Sequence, residues 1–169
     1  MSIHVGRQTY GHLGSKVVVL SRQNCVVNIG SYCSVGPGVR FIIDGNHHVD
    51  TFSTFPFYPG SNWGKSDPVV GNDVWISADA VIYSGVTIGD GAVIAGQSVV
   101  TKSVPPYAVV AGNPARIVKY RFDEKTIQDF LRLKWWDLPH DVIMARLAPI
   151  QGDIPLIIQT LEDIRSSAK

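Results

Sequence analysis

Long hydrophobic runs and an imbalance of charge are both missing from this 169-residue sequence. No segment approaches the roughly 18 consecutive apolar residues of a membrane-spanning helix, so we expect no membrane insertion. Fifteen Lys and Arg residues against 14 Asp and Glu residues leave a net charge of +1. That charge provides no field to attract nucleic acid or an anionic surface. The first residues also lack the basic and apolar regions of a secretory signal, and we expect a cytoplasmic protein.

Cysteine is scarce as well, with only Cys25 and Cys33 in the chain. Two cysteines are too few for a disulfide scaffold or a self-contained zinc site, and both are expected to be small buried residues. No histidine recurs at the repeat spacing described below, as a metal-dependent solenoid would require. A nucleophile elbow, a phosphate-binding P-loop and a dinucleotide fingerprint are absent too. The sequence therefore predicts no metal centre.

A six-residue period dominates residues 70–105, in the hexads VGNDVW, ISADAV, IYSGVT, IGDGAV, IAGQSV and VTKSVP. The first position is always a β-branched aliphatic residue: Val70, Ile76, Ile82, Ile88, Ile94 and Val100. The fifth is always small or aliphatic, and Gly, Asn, Asp and Ser crowd the positions between. This period fits neither an α-helix nor a simple strand. It is typical of a solenoid of short β-strands.

The same period appears in weaker form from Val5, is degenerate at Gln23 and becomes clear again from Ile29 to Phe41. It stops over residues 46–68, NHHVDTFSTFPFYPGSNWGKSDP. Connections of this length are uncommon unless they are functional or disordered, and this one is too aromatic for a flexible linker. We predict an ordered loop that protrudes from a corner of the solenoid.

The pattern becomes helical after Phe122. Asp123 is a candidate N-cap, followed by a predicted apolar helix face. That face consists of Ile127, Phe130, Leu131 and Trp135. Two more short helices are expected in PHDVIMARLA and DIPLIIQTLEDIRSSA. We therefore divide the chain into a repeat domain, 1–121, and a helical extension, 122–169, which we expect to cap the strand edges at the end of the solenoid.

The loop carries the most reactive side chains of the chain, His47 and His48. A neutral imidazole accepts a proton near pH 7 without a large pKa shift, as a general base must. Asp50 is positioned to orient the ring of His47 or another part of the loop. A histidine pair on a loop is more often surface decoration than catalytic, so residue chemistry alone makes these histidines candidates. A metal site would need a further ligand that the sequence does not identify.

Three segments together resemble the hexapeptide-repeat acyltransferases, in the branch of xenobiotic and sugar O-acetyltransferases. They are IGSYCSVGPGVRF at 29–41, the loop NHHVDTFSTFPF at 46–57, and 71–118, from GNDVWIS to VTKSVPPYAVVAGNPARIV. The tail containing KWWDLP is similar to the C-terminal helix of the streptogramin acetyltransferases. The likeness covers nearly the whole chain, and its loop motif is far more specific than the hexads.

This resemblance implies an all-β solenoid, a left-handed parallel β-helix with about 18 residues per coil, a protruding loop and a C-terminal α-helical cap. It also implies a homotrimer whose active sites lie between subunits, with acetyl-CoA along the solenoid and the acceptor in the loop pocket. The family's Asn-His-x-x-Asp pattern aligns on Asn46, His47 and Asp50, which makes His47 the general base. A gapless alignment to the streptogramin version would instead place the base at His48.

The resemblance further implies which residues bind the cofactor. Trp75 would lie beside the thioester end of the pantetheine arm, and Ala78 and Gly96 would present backbone groups to its amides. The nucleotide end would be bound by cationic residues and by residues that shape the same region. These are Thr101, Lys102, Asn113, Pro114, Arg116 and Lys119.

We therefore expect an acetyl-CoA-dependent acetyltransferase that acts on a hydroxyl of a sugar or polysaccharide precursor. A xenobiotic O-acetyltransferase acting on a streptogramin- or chloramphenicol-type hydroxyl is the nearest alternative, and N-acetylation of an amino sugar is another. A non-catalytic trimeric scaffold or binding solenoid is the alternative from a different class, against which His47 and the loop motif argue. The aromatic residues of the loop suit either kind of acceptor. They are Phe52, Phe55, Phe57, Tyr58 and Trp63.

Overall fold

Strands and helices occupy separate parts of the chain in a computed structural model. The structure describes residues 2–11, 16–19, 25–44, 47, 49–55, 57 and 65–167. The chain divides into two compact units, Met1–Arg121 and Phe122–Lys169. The described strands all lie in the first unit and the described helices in the second.

Three sheets of short strands form the first unit. The first sheet has the order β1-β4-β7-β10, with strands Ser2–Val5, Val26–Ile29, Val69–Val70 and Thr87–Ile88. The second has the order β14-β13-β11-β8-β5-β2, with strands Ala115–Tyr120, Ala108–Gly112, Val93–Ile94, Trp75–Ile76, Ser34–Val35 and Tyr10–Gly11. The third has the order β12-β9-β6-β3, with strands Val99–Val100, Val81–Tyr83, Arg40–Ile43 and Lys16–Val19. Because successive strands from β1 to β12 belong to successive sheets, the chain circles through all three in turn.

The strand register agrees with the six-residue period. Ile76 pairs in parallel with Ile94, and Ile82 with Val100, so that paired residues are 18 positions, or three hexads, apart. All six residues at the first hexad position are at most 3% exposed, and all six at the fifth are at most 5% exposed. The hexad pattern therefore predicted the buried core correctly: one aliphatic and one small residue per hexad fill the interior.

Two longer spacings interrupt this register. Val5 pairs with Ile29 across 24 residues, one hexad more than the later coils need; the degenerate hexad at Gln23 begins outside the described residues. Arg40 pairs with Val81 across 41 residues, which is 23 more than one coil. That excess equals the length of segment 46–68, so the loop is an insertion between two strands that remain in register.

Left-handed backbone conformations recur at one corner of successive coils. Tyr32, Asp73, Gly91 and Tyr107 occupy it with φ angles of 59°, 55°, 71° and 58°. For a residue other than glycine this conformation costs roughly 1–2 kcal/mol. Backbone hydrogen bonds between coils offset this conformational cost. The backbone N–H of Asp73, for example, donates to the carbonyl of Ser31 over 2.9 Å. The corners are thus held by stacking of one coil on the next.

An antiparallel hairpin of β13 and β14 ends the second sheet. The sequence did not predict the strand β14. Arg121, directly after β14, donates to the carboxylate of Asp73 over 2.8 Å and to the carbonyl of Gly91 over 2.7 Å. Its guanidinium also lies 5.3 Å from the centre of the Tyr107 ring. Burial raises the pKa of the Asp73 carboxyl, and the Arg121 charge counteracts this rise. Arg121 therefore fastens the hairpin to the corner.

The second unit contains three α-helices joined by tighter and wider turns. They are α1 at Glu124–Leu133, a 3₁₀ turn at Trp135–Asp137, α2 at His140–Val142, a π-helical turn at Ile143–Leu147, a 3₁₀ turn at Ala148–Ile150, and α3 at Ile154–Ser167. Asp123 caps α1 as predicted, since its carboxylate accepts the backbone N–H of Thr126 over 2.8 Å. At the other end of α1, the Arg165 guanidinium donates to the carbonyls of Leu133 and Lys134.

The predicted apolar face of α1 needs a correction. Ile127 and Phe130 are buried as expected, but the third buried residue is Leu133, while Leu131 is only half-buried. The helix stops before Trp135 because Lys134 adopts a left-handed conformation, with φ 44°. The following 3₁₀ turn changes the direction of the side chains, so Trp135 does not continue the helical face.

Cys33 makes the free energy of unfolding of the solenoid fall with rising pH in the alkaline range. Both cysteines are buried, as predicted, and burial raises the pKa of the Cys33 thiol to about 11. The folded state holds this proton more tightly than the unfolded chain. The contribution to stability is therefore complete below about pH 9 and is lost as the pH rises towards 11.

We expect the free energy of unfolding in urea to fall more steeply between about pH 9 and pH 11 in the wild type than in Cys33→Ala. Equal pH dependence of the free energy of unfolding in the two proteins would show that a group other than Cys33 causes the loss of stability.

Candidate active site

The loop that interrupts the solenoid is anchored where the chain returns to the solenoid. The backbone N–H of Gly85 donates to the carbonyl of Ser66 over 2.6 Å, and the backbone N–H of Val26 donates to the carboxylate of Asp67 over 2.9 Å. Gly85 has φ 76°, and a Cβ there would come within 2.9 Å of the Lys65 side chain. Glycine at position 85 therefore permits the close approach of the end of the loop to the turn that contains Gly85.

His47 is exposed on the loop and held in one orientation by the backbone. Its Nδ1 lies 2.6 Å from the carbonyl oxygen of Thr54. A carbonyl oxygen only accepts hydrogen bonds, so Nδ1 must carry the hydrogen in this contact. In the neutral imidazole the lone pair is then on Nε2, which is the atom that accepts a proton. The contact with Thr54 thus leaves the proton-accepting lone pair of His47 on Nε2.

The segment that supplies this carbonyl is a compact turn. The hydroxyl of Thr51 donates to the carbonyl of Ser53 over 2.7 Å. The hydroxyl oxygen of Ser53 in turn accepts the backbone N–H of Phe55 over 3.1 Å. Asp50, which the sequence offered as a group to orient the His47 ring or another part of the loop, is exposed on the loop. The carbonyl of Thr54 escaped prediction, because any residue type can supply a backbone acceptor.

Phenylalanine rings gather on the same loop. Phe52 stacks on Phe57 with ring centres 5.6 Å apart, and Phe55 meets Phe57 edge-on at 4.9 Å. These side chains are 93%, 58% and 64% exposed for Phe52, Phe57 and Phe55, respectively. An exposed apolar cluster of this kind commonly marks a surface that another molecule covers.

Some predicted site residues lie outside the described part of the chain. They are Asn46, His48, Tyr58 and Trp63. The choice between His47 and His48 therefore remains a prediction, for which the structure supplies the orientation of His47.

The residues expected at the pantetheine arm lie close together on the solenoid. Trp75 is 53% exposed on β8, and Ala78 follows three residues later at the corner after that strand. Gly96 occupies the same corner one coil further, where the N–H of Gln97 donates to the carbonyl of Ala78 over 2.9 Å. A Cβ at Gly96 would lie 3.3 Å from that carbonyl, which is a tight contact, so glycine lets the two coils approach closely here. Gly96 itself is exposed, and the corner presents backbone polar groups to solvent.

The residues expected at the nucleotide end fall into two groups. Thr101 and Lys102 follow β12, and both are exposed. The other group belongs to the terminal hairpin and is also exposed: Asn113, Pro114, Arg116 and Lys119. The guanidinium of Arg116 donates to the carbonyl of Ala115 over 2.9 Å. Strand β12 connects the corner of Gly96 to Thr101, so a short run of chain joins the two expected ends of the cofactor site.

The part of the chain that the structure describes contains neither a metal-binding cluster nor a membrane-spanning helix. It contains no group of three or more His, Cys, Asp or Glu residues that could hold a metal ion. Its helices are also too short or too polar to cross a membrane.

Comparison with known proteins identifies the family. Residues 67–102 match the family of bacterial transferase hexapeptide (six repeats). A chloramphenicol acetyltransferase of Agrobacterium fabrum (strain C58 / ATCC 33970) is 43% identical over 70% of this chain and 63% of its own length. A probable macrolide acetyltransferase of Lysinibacillus sphaericus is 42% identical over 76% of this chain and 78% of its own. The chain belongs to the hexapeptide-repeat acetyltransferases. The family prediction is confirmed, in the branch of xenobiotic and sugar enzymes.

Further relatives of the hexapeptide-repeat chain extend this picture. A galactoside O-acetyltransferase of Escherichia coli (strain K12) is 34% identical over 70% of this chain and 54% of that protein. A crystal structure of a hexapeptide-repeat acetyltransferase from Vibrio cholerae, complexed with acetyl coenzyme A, matches with a TM-score of 0.54 and 31% identity. The match covers 72% of this chain and 61% of that one. The chain thus spans less than two thirds of several of its relatives.

The anchor at Asp67 gives a test of how the loop is held. Replacing Asp67 with alanine removes the acceptor of the Val26 N–H, and we expect the loop to open while the solenoid stays folded. Chymotrypsin should then cleave after the exposed Phe52 or Phe57 at least several-fold faster than in the wild type. Asp67→Asn keeps a side-chain oxygen and should remain close to wild type. Equal cleavage rates for all three proteins would contradict an anchoring role for Asp67.

Proposed function

We propose that this protein transfers the acetyl group of acetyl-CoA to a hydroxyl of a small-molecule acceptor, with His47 as the general base. The observation that carries this proposal is the 2.6 Å contact of His47 Nδ1 with the Thr54 carbonyl. That contact leaves the proton-accepting lone pair on Nε2, on an exposed loop of a hexapeptide-repeat solenoid. The family membership of the chain supports the same reaction.

In the proposed step, Nε2 of His47 takes the proton of the acceptor hydroxyl. The hydroxyl oxygen forms a bond to the acetyl carbonyl carbon, and the carbon–sulfur bond of the thioester breaks. The imidazolium then returns its proton to the departing thiolate sulfur, so His47 ends the cycle neutral. General-base catalysis of this kind contributes typically 10²–10⁴-fold, and holding both substrates in line supplies further acceleration.

The open corner of Ala78 and Gly96 suits the amide-rich arm of acetyl-CoA, because small residues let an extended chain approach backbone groups. Trp75 would cover the thioester end. The exposed cations Lys102, Arg116 and Lys119 suit the phosphates of the nucleotide end, as would the nearby Thr101, Asn113 and Pro114.

Two classes of molecule could supply the acceptor hydroxyl. The exposed phenylalanine cluster beside His47 supports an acceptor with a large apolar face, of chloramphenicol or macrolide type, and the identities to acetyltransferases with those names support it too. A sugar hydroxyl is the second candidate, since sugars also stack on aromatic rings and a galactoside enzyme is among the relatives. N-acetylation of an amino sugar would use the same base.

We also propose that the protein is a homotrimer with each site completed by a neighbouring subunit. The exposed rings of Phe52, Phe55 and Phe57 support this: within one chain they have little cover, and a facing subunit would bury them together with the bound acceptor.

Histidine substitutions test the proposed base. His47→Gln keeps a polar side chain but removes the proton acceptor, so acceptor-dependent thiol release from acetyl-CoA should fall about 10²–10⁴-fold. The panel of acceptors should include chloramphenicol, macrolides, streptogramins, galactosides and amino sugars. His4→Ala changes another exposed histidine of the same unit and should keep wild-type activity. Loss of activity in His48→Ala but not in His47→Gln would move the base to His48.

Glycine substitutions test the proposed cofactor surface. Gly96→Leu adds a side chain to the open corner, and we expect the affinity for acetyl-CoA in titration calorimetry to fall at least about tenfold, equivalent to about 1.4 kcal/mol. Gly152→Leu is the control for adding the same side chain at a glycine away from this corner, where a Cβ meets nothing within 4 Å. It should leave affinity unchanged. Equal affinities for Gly96→Leu and the wild type would exclude this corner from the binding site.

A further inference from the structure

The carbonyl that orients His47 is itself oriented by a side chain. The Thr54 carbonyl and the Phe55 N–H belong to one peptide unit, and the Ser53 hydroxyl oxygen accepts that N–H over 3.1 Å. Ser53 therefore touches the opposite side of the group that holds the imidazole, although it does not contact His47 through any described bond.

Planarity of the peptide bond transmits this contact. In a trans peptide unit the N–H and the C=O lie in one plane and point in opposite directions. When Ser53 fixes the direction of the Phe55 N–H, it also fixes the direction of the Thr54 carbonyl. The carbonyl is then aimed at Nδ1 of His47, 2.6 Å away. Rotation of this peptide unit would turn the acceptor away from Nδ1 and release the imidazole ring.

We propose that Ser53 is a positioning residue, which sets the tautomer and ring orientation of His47 through the Thr54–Phe55 peptide unit. This inference rests on the proposed function for its catalytic consequence, but the tautomer can be measured without any acceptor. Thr51 supports the same turn at a different point. Its hydroxyl donates to the carbonyl of Ser53 over 2.7 Å and so fixes the preceding peptide unit.

Kinetic measurements test the catalytic consequence. Ser53→Ala removes the acceptor of the Phe55 N–H, and we expect kcat to fall about 10- to 100-fold, the scale of a misplacement of about 1 Å. KM for acetyl-CoA should stay unchanged, because Ser53 is not among the residues of the proposed cofactor surface. Ser53→Thr retains the hydroxyl and should restore kcat to within about threefold of wild type.

A matched control separates positioning from stability. The hydroxyl oxygen of Thr9 accepts the backbone N–H of Cys33 over 2.9 Å, the same kind of bond in the body of the solenoid. Thr9→Ala should lower the melting temperature and leave kcat unchanged. Ser53→Ala, on a partly exposed loop position, should do the reverse.

Nitrogen NMR of the imidazole gives a readout that does not need activity. When the imidazole is neutral, the wild type should show the hydrogen of His47 on Nδ1, with the signal assigned by its loss in His47→Gln. In Ser53→Ala the population with the hydrogen on Nε2 should rise. An unchanged tautomer in Ser53→Ala overturns the inference. A changed tautomer with unchanged kcat, or in a protein that acetylates no acceptor, leaves the positioning intact and refutes the proposed role of His47 as the base instead.

Discussion

Register between successive coils is the constraint on which the rest of this structure depends. Residues 18 positions apart pair in parallel strands, so their side chains stack in rows through the interior. One aliphatic and one small residue in each hexad then fill the space between three sheets, with all of these positions nearly inaccessible to solvent. A shift of one residue would turn the core side chains outwards. The same register gives each corner a fixed backbone conformation and a fixed set of bonds to the next coil.

This rigidity allows the solenoid to carry a long insertion. Strands β6 and β9 pair in register although 23 extra residues separate them, because the pairing of many other strands specifies where each must lie. The loop therefore starts and ends at defined points, and the hydrogen bonds of Ser66 and Asp67 anchor its return to the solenoid. The contacts around the proposed base are short-range: the imidazole of His47, the carbonyl of Thr54 and the hydroxyls of Thr51 and Ser53 lie within eight residues. Loops on a rigid scaffold are where function commonly resides.

The candidate site combines positions of different kinds. Gly96 and Ala78 have little or no side chain, and stacking of neighbouring coils brings them together. The orientation of His47 depends on a backbone acceptor, which residue types do not reveal. The hairpin that carries Arg116 is held by Arg121, whose hydrogen bonds reach Asp73, 48 positions away, and Gly91, 30 positions away. Such distant bonds explain why β14 could not be read from its own residues, which are mostly exposed on both faces.

The sequence by itself determined the period, the core positions from Val70 to Val104, the extent of the inserted loop, the Asp123 cap and the family. Each of these follows from residue types at short spacing, which the sequence displays directly. Only the tertiary structure decided the antiparallel strand β14, the end of α1 at Leu133 and the partner of His47. These depend on backbone direction and on contacts between residues whose types do not specify one another. Patterns of side chains predict what is buried, whereas backbone groups acquire their partners only when the chain is folded.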